Sequence, residues 1–124
     1  MNTAAAHLVR HYLDWLQQYT EIERMADGWE RITLPFTDRQ GDFLQCYVSR
    51  RKDGSYVITD DGYVFSDPRR RARIAEKPEE LQDVLASYDV QLIDGERLEL
   101  IAPAGAPAIG LNSVVQVMLA LNGL

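Results

Sequence analysis

A single cysteine, two histidines and the absence of any long apolar run narrow what this 124-residue chain can be. A membrane-spanning helix needs about 20 consecutive, mostly apolar residues, and no window approaches that. The lone Cys46 excludes an internal disulfide and suits a reducing cytoplasm, which is the expected location. It alternates with Leu44 and Val48, so the thiol is expected in the core, where buried cysteines are inert. His7 and His11 stand four residues apart, a spacing that can clamp zinc. A zinc site takes three or four ligands, and neither a further histidine nor a cysteine pair exists to complete one. The start of the chain does not read as a secretory leader, because Ala4-Ala5-Ala6 is followed by His7, Arg10 and His11. Neither a G-x-S-x-G nucleophile motif nor a phosphate-cradling glycine loop is present.

What the chain does contain is balanced and ordinary in bulk. Apolar residues make up 46% and charged residues 26%, the proportions of a globular protein. The length accommodates one domain with a real core. The most informative stretch runs from Asp38 to Phe65, DRQGDFLQCYVSRRKDGSYVITDDGYVF. Two alternating runs meet there at Asp53-Gly54, and the second closes on Asp60-Asp61-Gly62. Asp-Gly supplies the positive-φ pair that tight hairpins require. Asp27-Gly28 and Asp94-Gly95 separate two further pairs of strand candidates.

The periodicity predicts an amphipathic helix from about Thr3 to Tyr19, with Leu8, Val9, Tyr12, Leu13, Leu16 and Tyr19 on its stripe. Strands follow at Thr20 to Met25 and Trp29 to Leu34, and Pro35 is expected to end the second. Asp42 to Arg50 and Ser55 to Thr59 form the central hairpin, which Tyr63, Val64 and Phe65 extend. Asp67-Pro68 caps a short basic helix, and Pro78-Glu79-Glu80 opens an acidic one whose carboxylates complement the helix dipole. Val90 to Ile93 and Arg97 to Ala102 make a last hairpin, and Asn112 caps a final helix through Leu121. The fold class is α+β, a twisted antiparallel sheet of about five strands with helices mainly on one face.

Three constellations carry possible chemistry. Asp38, Asp42, Asp60 and Asp61 flank the central hairpin, where carboxylates at strand ends can hold Mg²⁺. A metal-dependent nuclease also wants a lysine or histidine beside them, whereas Lys52 sits in the far turn. Turn formation explains Asp60 and Asp61 equally well. The basic runs Arg50-Arg51-Lys52 and Arg69-Arg70-Arg71-Arg73, with Tyr47, Tyr56, Tyr63 and Phe65 nearby, form a possible nucleic-acid footprint. The third constellation is acidic. Acids and bases balance through Ala75, so the net charge of −6 resides in residues 76–99. That segment carries Glu76, Glu79, Glu80, Asp83, Asp89, Asp94, Glu96 and Glu99 against only Lys77 and Arg97. Such a surface can space carboxylates as DNA spaces phosphates and compete for a basic groove.

The pattern Leu34-Pro35-Phe36, Asp38, Gly41-Asp42, Tyr47, Asp53-Gly54 and Thr59-Asp60-Asp61-Gly62-Tyr63 resembles a bacterial and prophage domain of unknown function. The likeness extends from the Tyr12-Leu13-Asp14-Trp15-Leu16 helix to Val115–Asn122. In that family the domain usually forms the N-terminal half of a two-domain protein, and this sequence stops where the second half would begin. A stand-alone acidic module of this size is similar to small anti-CRISPR proteins of phages that imitate DNA. The resemblance implies a non-catalytic inhibitor without a cofactor, monomeric or weakly dimeric and independent of membranes. Its eight acidic residues would occupy the DNA-binding surface of a bacterial defence complex such as a CRISPR effector. The alternatives are a metal-dependent nuclease or its remnant, and a regulatory module that binds nucleic acid through the arginine runs.

Overall fold

A computed structural model describes residues 3–124. The elements run α1 (Ala4–Tyr19), β1 (Glu21–Arg24), β2 (Trp29–Thr37), β3 (Phe43–Arg50), β4 (Tyr56–Thr59), α2 (Tyr63–Ser66), α3 (Pro68–Ala75), α4 (Pro78–Tyr88), β5 (Gln91–Ile93), β6 (Arg97–Ala102) and α5 (Pro107–Asn122). The strands make one six-stranded antiparallel sheet in the order β1-β2-β3-β4-β6-β5. The α+β class is as expected, with one strand more than the count of about five.

Turn chemistry accounts for the hairpins. Asp27 and Gly28 both have positive φ (61° and 79°), as do Asp94 and Gly95 (55° and 66°), the pairing a type I′ connection demands. The β3–β4 turn differs. There only Gly54 is left-handed, at 88°, and Asp53 instead accepts from the Ser55 N–H and hydroxyl at 2.9 and 2.6 Å. Pro35 does not end β2. The strand continues to Thr37 through an irregularity in its pairing with β3 between Leu34 and Thr37, where a missing N–H costs no ladder bond.

Helix α5 lies on one face of the sheet, with α2 and α4 in contact with it. Its Met118 sulfur meets the Cys46 sulfur at 3.7 Å, and Val114, Val117, Met118 and Leu121 are all but fully enclosed. The approach is close at Gly110. A Cβ there would stand 2.5 Å from the Ala102 Cβ and 2.9 Å from a Leu100 methyl. Ile58, Leu98, Ile74 and Leu85 complete the core. Cys46 is buried as predicted, and burial followed by the nearby Asp60 carboxylate pushes its thiol up to about 12.

Three further sequence expectations change. Tyr63–Phe65 is not strand but the start of α2, because Asp61 and Gly62 turn the chain left-handed at φ 54° and 82°. The last helix begins at Pro107, so Asn112 lies inside it rather than at its cap. The apolar stripe of α1 finds no core: none of its residues is buried, although Thr3 caps it through a 3.0 Å bond from the Ala6 N–H.

Candidate functional site

The four aspartates of the central hairpin part into two classes. Asp60 is fully enclosed. One of its carboxylate oxygens accepts from the Gly62 and Leu98 N–H groups at 2.9 and 3.0 Å, and the other accepts from the Val64 N–H at 2.9 Å. It therefore ties the β4 end to α2 and β6. Burial pushes its pKa above the ordinary carboxylate value even against these three bonds.

Asp38, in the β2–β3 loop, is also buried. It accepts from the Gln40 and Asp42 N–H groups at 2.9 and 3.0 Å and from the Tyr63 hydroxyl at 2.6 Å. Burial pulls the Asp38 carboxyl up, but Tyr63, the two N–H groups and the Arg70 charge together hold it below the usual range. Asp42 and Asp61 are exposed. No group of three or more potential metal ligands occurs among the described residues.

Arg70, expected in a basic surface run, is 2% exposed. Its guanidinium donates to the carbonyls of Val64 (2.7 Å) and Tyr63 (3.1 Å), to the Asn122 side chain (3.2 Å) and to Gln40 (3.4 Å). It also lies 4.8 Å from the Tyr63 ring centre. The side chains of Asp38, Tyr63, Arg70 and Asn122 thus lock the β2–β3 loop, α2, α3 and the end of α5 together. A buried arginine surrounded by bonded oxygens is an architectural clamp.

The two basic runs also lie apart. Gly54, next to Arg50–Lys52, approaches Ala104 just before α5, whereas Arg70 reaches Asn122 at the other end. Sixteen residues of helix separate them by roughly 24 Å at 1.5 Å per residue.

The acidic segment has a different character. Glu79, Glu80 and Asp83 are exposed on α4 and fall within about 100° of arc, opposite Leu81 and Leu85. Glu76, also exposed, ends α3 just before them. Asp89 closes α4 in the left-handed conformation at φ 54°, and Asp94 and Glu96 stand exposed at the β5–β6 turn. Glu99 is separate. It pairs with Thr59 in register, on the sheet face away from α5, and meets Arg97 at 3.4 Å. Among the described residues the other seven carboxylates form no ion pair.

That outer sheet face holds features that strand periodicity hinted at but did not assemble. Glu23, Arg31, Tyr47, Thr59, Glu99 and Gln91 align in one row across all six strands, with Glu23 and Arg31 ion-paired. A groove of about 510 Å³ lies beside the row, lined by Trp29, Tyr47, Asp61, Arg97 and Glu99 among others, and no residue of α1 to α5 lines it. His7 and His11 are exposed on α1 with ring centres 6.4 Å apart.

Together these features define a single-sheet α+β protein with two buried aspartates bonded by its own donors and its excess of carboxylates concentrated around α4. No helix is long and apolar enough to cross a membrane among the described residues. Residues 34–121, more than half of the chain, match the family described as Domain of unknown function DUF1828, and the chain belongs to that family. The matched span starts within β2 and leaves α1 and β1 outside it. No curated protein and no solved structure matches the chain.

Proposed function

We propose that the protein is a non-catalytic binding module whose acidic surface, centred on Glu79, Glu80 and Asp83, occupies a basic surface that otherwise holds nucleic-acid phosphates. The observation that carries this reading is the set of seven exposed carboxylates between Glu76 and Glu96, none in an ion pair among the described residues. On α4, Glu79 and Asp83 stand about 6 Å apart along the axis, close to two phosphate steps of one DNA strand at about 3.4 Å each. Carboxylates held on a rigid helix complement a basic groove and speed encounter with it. The buried aspartates support the same reading from the other side. The oxygens of Asp38 and Asp60 are already engaged by the protein's own donors, so using them for catalysis would dismantle the loop and the β4–α2 turn.

The setting implied by the sequence resemblance makes the partner a bacterial defence complex in the cytoplasm, first among them a CRISPR effector blocked at its DNA-binding surface. The test is a pull-down from a CRISPR-bearing bacterial host, followed by affinity measurement across a salt series. The triple variant Glu79→Lys, Glu80→Lys, Asp83→Lys is expected to weaken the complex by roughly 100-fold or more and to abolish its salt sensitivity. Undiminished affinity in that variant would sink the proposal. So would divalent-metal-dependent cleavage of DNA or RNA that disappears in Asp61→Asn, an exposed substitution that spares the interior.

A further inference from the structure

Helix α1 carries six large apolar side chains that the fold leaves in solvent: Leu8, Val9, Tyr12, Leu13, Trp15 and Tyr19, each between 43% and 71% exposed. They make up one side of the helix. Its charged residues, Arg10 and Asp14, both project about 160° away from Tyr12. Trp15 stacks on Tyr12 at 6.0 Å and meets Tyr19 at 5.7 Å, so an aromatic cluster is already assembled on the outside. Tryptophan and tyrosine are the residues that anchor protein interfaces, because they offer large rigid area at low entropic cost.

We infer that α1 is a homodimerisation surface, on which the same helix of a second copy packs antiparallel about a two-fold axis near Tyr12. Three observations select this occupant. The six side chains leave on the order of 600 Å² per chain, so two copies together offer about 1,200 Å², enough for a specific interface, which needs about 1,000 Å² in total. The apolar side carries no formal charge, so two copies meet without the repulsion that a chain of net charge −6 would meet elsewhere. The geometry is also self-matching: in an antiparallel crossing at Tyr12, Leu8 faces the partner's Leu16 and Tyr12 faces its own equivalent. A bilayer fits less well, because helices that lie on membranes carry lysine and arginine on the polar side, and α1 has Arg10 offset by Asp14.

Sedimentation equilibrium of the full chain tests the inference. At about 100 µM, above the micromolar dissociation constants that interfaces of this size reach at their weakest, the expected mass is twice the 14.1 kDa chain mass. Leu8→Glu with Leu13→Glu is expected to return the monomer mass with an unchanged circular dichroism spectrum, since neither residue is buried. As a second readout, Tyr12→Cys places a thiol at the proposed axis. Mild oxidation is expected to give disulfide-linked dimers, with the buried Cys46 a bystander. A wild-type monomer at that concentration overturns the inference, and so does a dimer that survives the double glutamate substitution. A monomer that co-sediments with lipid vesicles overturns it in favour of a membrane surface.

Discussion

Helices α1 and α5 are each 16 residues long, yet seven residues of α5 are buried and none of α1. The difference runs against the strength of their patterns. Helix α1 separates an apolar from a polar side, while α5 is apolar around most of its circumference. An amphipathic pattern says which side of a helix avoids water and says nothing about what covers it. Helix α5 is enclosed because the sheet meets it at Gly110 and Met118 and neighbouring helices flank it. Helix α1 makes its main contact with the fold along β2 and keeps its apolar side for another surface. The carboxylates repeat the contrast: Asp60 is consumed by the fold, whereas Glu80 is left free.

Truncation should expose the contrast between the helices most sharply. Leu121→Ala on α5, at a fully buried site, is expected to cost about 3 kcal/mol in chemical denaturation, the range for a core leucine. Leu13→Ala on α1 should cost less than about 0.5 kcal/mol under monomeric conditions, as exposed substitutions do. Equal losses would show that α1 is part of the core after all. Among the carboxylates, Asp60→Ala strands the Gly62, Leu98 and Val64 N–H groups in the interior and is expected to cost about 2–3 kcal/mol. Glu80→Ala is expected to leave the unfolding midpoint within experimental scatter. An Asp60→Ala protein as stable as the parent would mean that water or another donor arrangement replaces the carboxylate.

The last comparison concerns pH. The folded state raises the Cys46 thiol from 9.0 to about 12, so above pH 9 the unfolded chain loses a proton that the native one keeps. Stability therefore falls as pH rises through that window, by about 1.4 kcal/mol between neutrality and pH 10. Cys46→Ala should flatten this limb of the stability profile. Tyr63, pushed up to about 12 by burial and by its bond to Asp38, adds a slope of the same sign above pH 10 that the variant retains.

Much of the architecture was legible because it is written in local chemistry. Alternation placed the strands, the Asp-Gly pairs placed three of the hairpin turns, and Asp67-Pro68 marked the start of α3 through a 3.1 Å bond from the Arg69 N–H. Misreadings arose where a distant partner decides the outcome. Pro35 looked like a strand end, but β3 accommodates it in a break of register. Arg70 looked like one of four surface arginines, and only the meeting of α2, α3 and α5 turns it inward. Of the acidic residues, seven lie on α4, its flanks and the β5–β6 turn, but strand pairing carries Glu99 to the opposite sheet face.

From sequence alone came the α+β class, the order of strands along the chain, the buried thiol and the local excess of carboxylates, because turns, periodicity and charge act over a few residues. Tertiary structure alone decided which charges are consumed and which remain available, since desolvation and pairing depend on neighbours far along the chain. It buried Asp60 and Arg70, left Glu79, Glu80 and Asp83 in water, and gave the apolar side of α1 nothing of its own to cover it.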